Sequence, residues 1–293
     1  MKVIKLWGGL GNQMFQYAFG RAITNNCESE LFFYQLDHTS DKDNLDILKF
    51  NVNIIFLKKD ILKKHILFLD SLLLYRVERK ILQILPFLDR NITIEPTLSY
   101  NEKIKNNHTS TIYDGYWQSY KYFANINDEI LNEFEIREGF IQNSSLFKEI
   151  ENSNSVSIHF RRGDYLLKKN KEVYASCERN YYFAAIKEIS DKVNNPHFFV
   201  FSNDLPMAQK ELTSLCNAKM VFVDNSKVDN GNLEDFLLMT KCKHNIIANS
   251  TFSWWAAWLN RNKEKVIIAP KKWYNGTLND TTNDLIPKTW IRI

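Results

Sequence analysis

Ser155-Val156-Ser157-Ile158-His159-Phe160 reads as a β-strand, and Arg161-Arg162-Gly163-Asp164-Tyr165 follows it without a spacer. The same order of strand, loop and helix recurs downstream. A helix is expected after Asn180, a strand at His197 to Phe201, a helix from Pro206 and a strand at Met220 to Val223. Then come a helix from Leu233, a strand at Asn245 to Ala248, a helix from Ser253 and a strand at Val266 to Ala269. Strands separated by helices of about 10 to 15 residues indicate a parallel sheet with helices on both faces. Ligands of such sheets sit beyond the carboxyl ends of the strands.

The residues at those ends carry chemistry. Arginine presents a planar, permanently charged fork that grips phosphate bidentately, and Gly163 lets the loop turn beside a ligand. Arg161 and Arg162 are therefore candidates for a diphosphate. The tripeptide Arg162-Gly163-Asp164 alone fits a surface loop or an adhesion motif better; the whole string at a strand end favours the phosphate. Asn249-Ser250-Thr251-Phe252-Ser253 also follows an apolar strand. Hydroxyls and amides at a helix start bind anions, which nominates Ser250, Thr251 and Ser253. Plain capping is the competing explanation, and the tryptophans that follow, Trp254, Trp255 and Trp258, read as core. In Phe201-Ser202-Asn203-Asp204 a carboxylate at a strand end fits the donor edge of a guanine and, equally, the cap of the next helix.

The first half opens with a strand at Val3 to Trp7, the glycine turn Gly8-Gly9-Leu10-Gly11-Asn12-Gln13 and a helix over residues 13 to 26. The turn lacks the spacing of a dinucleotide fingerprint and the Lys-Ser/Thr ending of a P-loop. It fits amides of Gly9 and Gly11 and the side chain of Asn12 offered to a substrate. Residues 54 to 88 form an amphipathic, basic stretch expected to be helical. Its leucines fit either a core with a solvated lysine face or a helix lying in a membrane interface. A Ser-, Asn- and Glu-rich stretch at 138 to 154 marks a boundary, giving lobes 1–145 and 146–293 with a cleft between them.

Composition narrows the classes. A formal charge of +4, with 38 Lys and Arg against 34 Asp and Glu, is too weak a footprint for nucleic acid. Cys27, Cys177, Cys216 and Cys242 lie far apart, without metal-ligand spacing, so neither zinc nor a disulfide framework is implied and a reducing, cytoplasmic setting is expected. No run approaches the roughly 18 to 20 apolar residues of a membrane span. Asp41-Lys42-Asp43 has no strand before it and reads as a solvated loop rather than a metal site.

Gly-Gly-Leu-Gly-Asn-Gln-Met-Phe-Gln-Tyr-Ala at 8–18, Gly115-Tyr116-Trp117-Gln118-Ser119, His159 to Tyr165, Asn203-Asp204 and Asn249 to Trp258 together resemble the bacterial α-1,2-fucosyltransferases of glycosyltransferase family 11. The resemblance spans nearly the whole chain and is least informative between residues 40 and 105. It implies an α/β, GT-B-like fold with an acceptor-binding lobe first and a Rossmann-like, GDP-fucose-binding lobe second. It implies inverting transfer to a 2-hydroxyl of galactose in a glycan that can be lipid-linked, with no metal. In that reading Arg161, His159 and Asn12 are the catalytic residues, Arg161 on the diphosphate, with His159, Arg162 and Asp164 in the donor site. Asp204 and Asn203 would read guanine; Ser250, Thr251 and Ser253 the phosphates. Asn12, with Gly9 and Gly11, would face the diphosphate from the first lobe, and Tyr116, Trp117 and Gln118 would meet the acceptor. The chemistry leaves the general base unassigned. A lectin stacking sugars on Tyr116 and Trp117, a nucleotide-dependent oxidoreductase and another GDP-sugar transferase are the alternatives. A peripheral contact with the inner face of the cytoplasmic membrane would bring such an enzyme to a lipid-linked acceptor.

Overall fold

Parallel strands need both faces covered, and each of the two units into which the chain divides covers its own sheet. The first comprises Met1–Arg137 with Thr281–Leu285, the second Glu138–Asp280 with Ile286–Ile293. The computed structural model describes residues 1–25, 29–36, 45–107, 109–137, 145–161, 172–215 and 218–293. Arg162, Asp164, Cys27, Cys216 and the Asp41–Asp43 segment lie outside the described residues.

Unit 1 runs β1 (Lys2–Lys5), α1 (Leu10–Thr24), β2 (Leu31–Tyr34), α2 (Lys59–Leu62), α3 (Leu72–Ile84), β3 (Ile92–Ile94), α4 (Glu102–Lys105), β4 (Ile112–Asp114) and α5 (Asn127–Glu133). Its sheet is parallel in the order β2-β1-β4-β3. On one side α1 brings Met14, Phe15, Ala18 and Phe19, all fully buried. On the other, Leu62, Ile66, Leu69 and Tyr75 pack with Val3, Tyr34, Ile92 and Ile112.

Two expectations are corrected here. The first helix starts at Leu10, not at residue 13, so Gly11 and Asn12 belong to its first turn and Gly9 is its cap. The 54–88 stretch is not one helix but α2 and α3. The break is held by side chains: Glu78 accepts hydrogen bonds from the amides of Leu67 and Phe68 (3.0 and 3.2 Å), and Asp70 pairs with Lys59 and Lys63.

Unit 2 runs α6 (Ser145–Glu151), β5 (Asn154–Phe160), α7 (Arg179–Ser190), β6 (Pro196–Ser202), α8 (Leu205–Leu212), β7 (Met220–Phe222), α9 (Gly231–Lys241), β8 (His244–Ile246), α10 (Thr251–Leu259), β9 (Ile267–Ala269) and β10 (Ile291–Arg292). The order is β10-β9-β8-β5-β6-β7, parallel throughout. Val156, Ile158 and Phe160 of β5 face a core shared with Tyr182, Ala185, Ile186 and Ile189 of α7 and Leu212 of α8. Ser155 and Ser157 point the other way, where Ser157 accepts a hydrogen bond from Asn245 of β8 (2.8 Å). The strand order reverses between β5 and β8: from β5 the chain builds outward through β6 and β7, then returns to place β8 against the opposite edge of β5. Such a reversal leaves a crevice at the carboxyl ends of the two diverging strands.

Candidate functional site

At the switch point of unit 2, β5 ends in His159 and Phe160 with Arg161 next, and β8 leads into Asn249, Ser250 and α10. His159 is buried, 5% exposed, with its ring 5.8 Å from that of Phe252 and its carbonyl accepting from the Tyr182 hydroxyl (3.1 Å). Its Nδ1 has no hydrogen-bond partner among the described residues. Burial, with a smaller contribution from the Arg161 charge, pushes its pKa down to about 3. The unliganded imidazole is therefore neutral near pH 7 and too weak a base to take a proton there; what it offers is a hydrogen bond at an unused nitrogen. A buried polar atom left unpaired is costly, and at a strand end this one makes His159 a candidate to bind a ligand.

Ser250 occupies the N-cap position of α10, yet its side chain makes no capping bond. Its hydroxyl is thus not spent as the capping explanation requires. Ser253 is different: it is fully buried and donates back to the carbonyl of Ser250 (3.2 Å), so its hydroxyl is satisfied and its backbone amide is what remains among the first-turn donors. Thr251 is half-buried in the first turn. Asn249 is structural, with its amide group donating to the carbonyls of Ala175 and Trp273 and fixing the loops beside the helix. Trp254 and Trp255 are wholly buried, as expected of core. At the end of β6, Asp204 caps α8 by accepting from Met207 N (3.2 Å), while Asn203 is exposed. Among the described residues no group of three or more His, Cys, Asp or Glu could hold a metal. Cys177 and Cys242 are buried thiols.

In unit 1 the carboxyl ends of β1, β3 and β4 gather a second cluster. Gly8 adopts a φ of 78°, a conformation that side chains with a Cβ resist. Gln13 and Gln16, projecting from α1, hold the backbone before it: Gln16 pairs with both the amide and the carbonyl of Trp7 (3.0 and 3.3 Å), and Gln13 donates to the Gly8 carbonyl (2.8 Å). Across the sheet Glu95, 6% exposed, accepts from the amides of Tyr116 (2.6 Å) and Trp117 (2.9 Å), clamping a turn in which Trp117 has a φ of 57°. A Cβ on Gly115 would lie 2.4 Å from that of Glu95, so glycine is required there. Burial raises the Glu95 pKa to about 7 against the opposing pull of the two amides.

These turns bring three predicted residues together and separate a fourth. Gln118 donates to Asn12 (2.9 Å), and the ring of Tyr116 stacks on that of Trp7 (4.3 Å, 26°), both half-buried. Trp117, read from the sequence as an acceptor contact, has no exposed surface and stacks on Phe19 (4.2 Å) instead. Its left-handed backbone turns the ring inward, and it serves the core. Trp7 and Glu95 were not singled out from the sequence. Trp7 could have been found, since it stands at a strand end just before the glycine turn; Glu95 lies in the stretch without a recognisable motif. Beneath the platform, Lys5, Tyr75 and Arg79 all bond to Asp114, and burial lowers the Lys5 pKa.

The sequence model described as Glycosyl transferase family 11 matches residues 1–293. The chain belongs to glycosyl transferase family 11. Relatives of the family 11 chain include an α-1,2-colitosyltransferase of Escherichia coli, 30% identical over 298 residues, 99% of this chain and 98% of that one. The O-antigen biosynthesis glycosyltransferase WbnK of Escherichia coli is 30% identical over 310 residues, 98% of this chain and 99% of the relative. Galactoside α-(1,2)-fucosyltransferase 2 of Mus musculus is 31% identical over 157 residues, 50% of this chain and 44% of its own length. Among solved structures, the fucosyltransferase NodZ from Bradyrhizobium shares the fold of the family 11 chain at 11% identity, with a TM-score of 0.53 over 87% of this chain and 90% of that one. NodZ soaked with GDP-fucose aligns with a TM-score of 0.51 at 13% identity, covering 88% and 91%. The fold is α/β and GT-B-like, its Rossmann-type strand order lying in unit 2.

Proposed function

We propose that the chain transfers L-fucose from GDP-β-L-fucose, with inversion, to the 2-hydroxyl of a galactose-type acceptor. The observation that supports this most is the switch point of unit 2, where Arg161, an unpaired His159 nitrogen and an uncapped helix start stand at the ends of adjacent strands. Departure of GDP builds negative charge, and fixed positive groups stabilise it without a metal. Asp204 and Asn203 then serve the guanine, the hydroxyls of Ser250 and Thr251 and the backbone amide of Ser253 the phosphates, together with Arg162 and Asp164. Unit 1 takes the acceptor, the stacked Trp7–Tyr116 pair meeting the apolar face of the sugar while Gln118 supplies a hydrogen bond. A cytoplasmic enzyme fits a nucleotide-sugar donor and the O-antigen assignment of the WbnK relative.

The colitosyltransferase relative motivates a second donor. Colitose is the 3-deoxy form of fucose, so the two donors differ by one hydroxyl. The chain is incubated with each GDP-sugar and a galactoside in excess chelator, and GDP release and product linkage are read. GDP-fucose is expected to give an α-1,2 product. Turnover only with the 3-deoxy donor would reassign the sugar, and no turnover with either, or turnover only with a divalent ion, would overturn the proposal.

A further inference from the structure

The outward face of unit 1 between Ile61 and Leu88 is not dressed as a soluble surface. Leu62, Ile66, Leu69 and Tyr75 enter the core, but Leu67 (74% exposed), Leu73 (71%), Ile84 (67%) and Phe87 (67%) do not, and neither do Phe68, Leu74, Val77, Ile81, Leu85 and Leu88. At about 100° per residue, Leu73, Val77, Ile81 and Ile84 of α3 fall within about 80° of one another, and Leu74 and Leu85 extend the same stripe to about 120°. Tyr75, Arg79 and Leu82 lie on the opposite side, toward the sheet. The helix therefore packs by its minor apolar side and presents its larger one outward. Single exposed leucines need no explanation, but a contiguous apolar stripe of this kind marks an interaction surface.

The charges around it indicate what covers it. Arg76 and Lys80 run along one flank of the stripe, and Lys58, Lys64 and Arg90 lie exposed at its ends. None of these five has an ion pair among the described residues, whereas Lys59 and Lys63 are taken by Asp70 and Arg79 by Asp114. An apolar stripe bordered by unmatched basic residues fits the boundary between acyl chains and anionic headgroups. A second copy of the chain fits less well where α3 meets its mate antiparallel, which sets Arg76 and Lys80 against like charge. No helix among the described residues is long and apolar enough to cross a membrane.

We propose that the α3 face of unit 1 docks on an anionic phospholipid surface, α3 lying in the plane of the interface with Leu73, Val77, Ile81 and Ile84 inserted. The surface is independent of which sugar the enzyme transfers, so its test does not involve turnover. The full chain is sedimented with phosphatidylcholine vesicles and with vesicles containing added phosphatidylglycerol, at low and high salt. Binding is expected to the anionic vesicles alone, weakening with salt. The double variant Arg76→Glu, Lys80→Glu is expected to bind them at least tenfold more weakly. The triple variant Leu73→Ser, Val77→Ser, Ile81→Ser should lose binding while its near-ultraviolet circular dichroism stays that of the wild type, since these side chains touch water already. Wild-type protein left in the supernatant with anionic vesicles at low salt would overturn the proposal, as would unchanged binding by the triple variant. Sedimentation velocity supplies a further check: a wild-type dimer that the triple variant dissociates would assign the face to self-association.

Discussion

Arg161 and His159 sit two residues apart at the end of one strand and differ in what they can do. The guanidinium brings a planar fork of donors, whereas the imidazole has lost its charge to burial. Arg161→Lys keeps the charge and loses the fork; turnover is expected to fall about 10²-fold or more, with an unchanged unfolding midpoint, and retention of a tenth of wild-type turnover would contradict the role. His159 makes a separate prediction about stability. Its folded pKa, about 3, lies below the ordinary value of 6.5, so the unfolded chain takes up the proton first as pH falls. The stability contributed is complete above pH 6.5 and is lost progressively as pH drops toward 3. From pH 7.5 to 4.5 the loss amounts to about 3 kcal/mol. Glu95 and Asp235, both raised to about 7 by burial, act in the opposite direction over part of this window. The measurement is therefore the difference between wild type and His159→Phe in urea unfolding at the two pH values, and an equal pH dependence in both would remove His159 as its source.

Among the elements, the strand-end turns of unit 1 show how backbone geometry is set by a few side chains. A methyl group on Gly8 would lie 2.7 Å from the Asn12 amide nitrogen in a backbone conformation of positive φ. Gly8→Ala is expected to destabilise unit 1 by about 1 to 2 kcal/mol and to lower turnover by moving Asn12 away from Gln118. Stability equal to wild type in urea unfolding would show that the turn adapts. Glu95→Gln tests the opposite turn. Glutamine offers one oxygen where the carboxylate offers two, and its NH2 must face an amide N–H, so one of Tyr116 and Trp117 loses its acceptor. The raised pKa also fixes a sign: the contribution of Glu95 to stability is greatest below about pH 4.5 and is lost as pH rises through 7. Wild type should weaken between pH 5 and 8 relative to Glu95→Gln, with acceptor KM higher in the variant throughout; a variant indistinguishable in both respects would leave the clamp without a function. These elements also delimit what the sequence made legible. The alternation from Ser155 to Ala269 could be read to within one to three residues at most boundaries because each strand is an apolar run closed by a polar loop. Strands β2, β3 and β4 of unit 1 could not: they are three or four residues long, and their pairing depends on partners about 20 to 110 positions away. The split of α2 from α3 was equally hidden, since the side chains that hold it, Glu78 and Asp70, look like ordinary solvated charges on a basic helix.

For the whole molecule, the path of the chain matters as much as either sheet. The unit 2 residues at strand ends were readable as motifs, but Trp7 and Glu95 acquire their meaning only when three strand ends converge, and no local pattern announces that. Nor does the sequence announce that Thr281–Leu285 returns to unit 1 before the chain ends in β10 of unit 2. The return is fastened at several points: Thr281 O accepts from Ser99 (3.2 Å), Asp284 Oδ2 accepts from the amide of Tyr100 (3.1 Å), Asp284 O accepts from Ser119 (3.0 Å), and the other Asp284 oxygen pairs with Lys121. Two of these bonds depend on the Asp284 side chain, and they are unequal. The pair with Lys121 is partly exposed, and such pairs contribute about 0 to 1 kcal/mol. The Tyr100 amide is a backbone donor that loses its partner when the carboxylate is removed, at a cost of about 1 to 3 kcal/mol if water does not replace it. Asp284→Ala is therefore expected to lower the stability of unit 1 by more than Lys121→Ala does, although both break the same ion pair. Urea unfolding of the two single variants and the double variant decides the point. The double variant should nearly match Asp284→Ala, because beyond the ion pair the Lys121 ammonium keeps only a distant contact with the Tyr100 ring, 5.9 Å to its centroid. Equal effects of the two single changes would mean that the ion pair alone fastens the segment, and no effect of either would mean that the backbone bonds to Ser99 and Ser119 suffice to hold it.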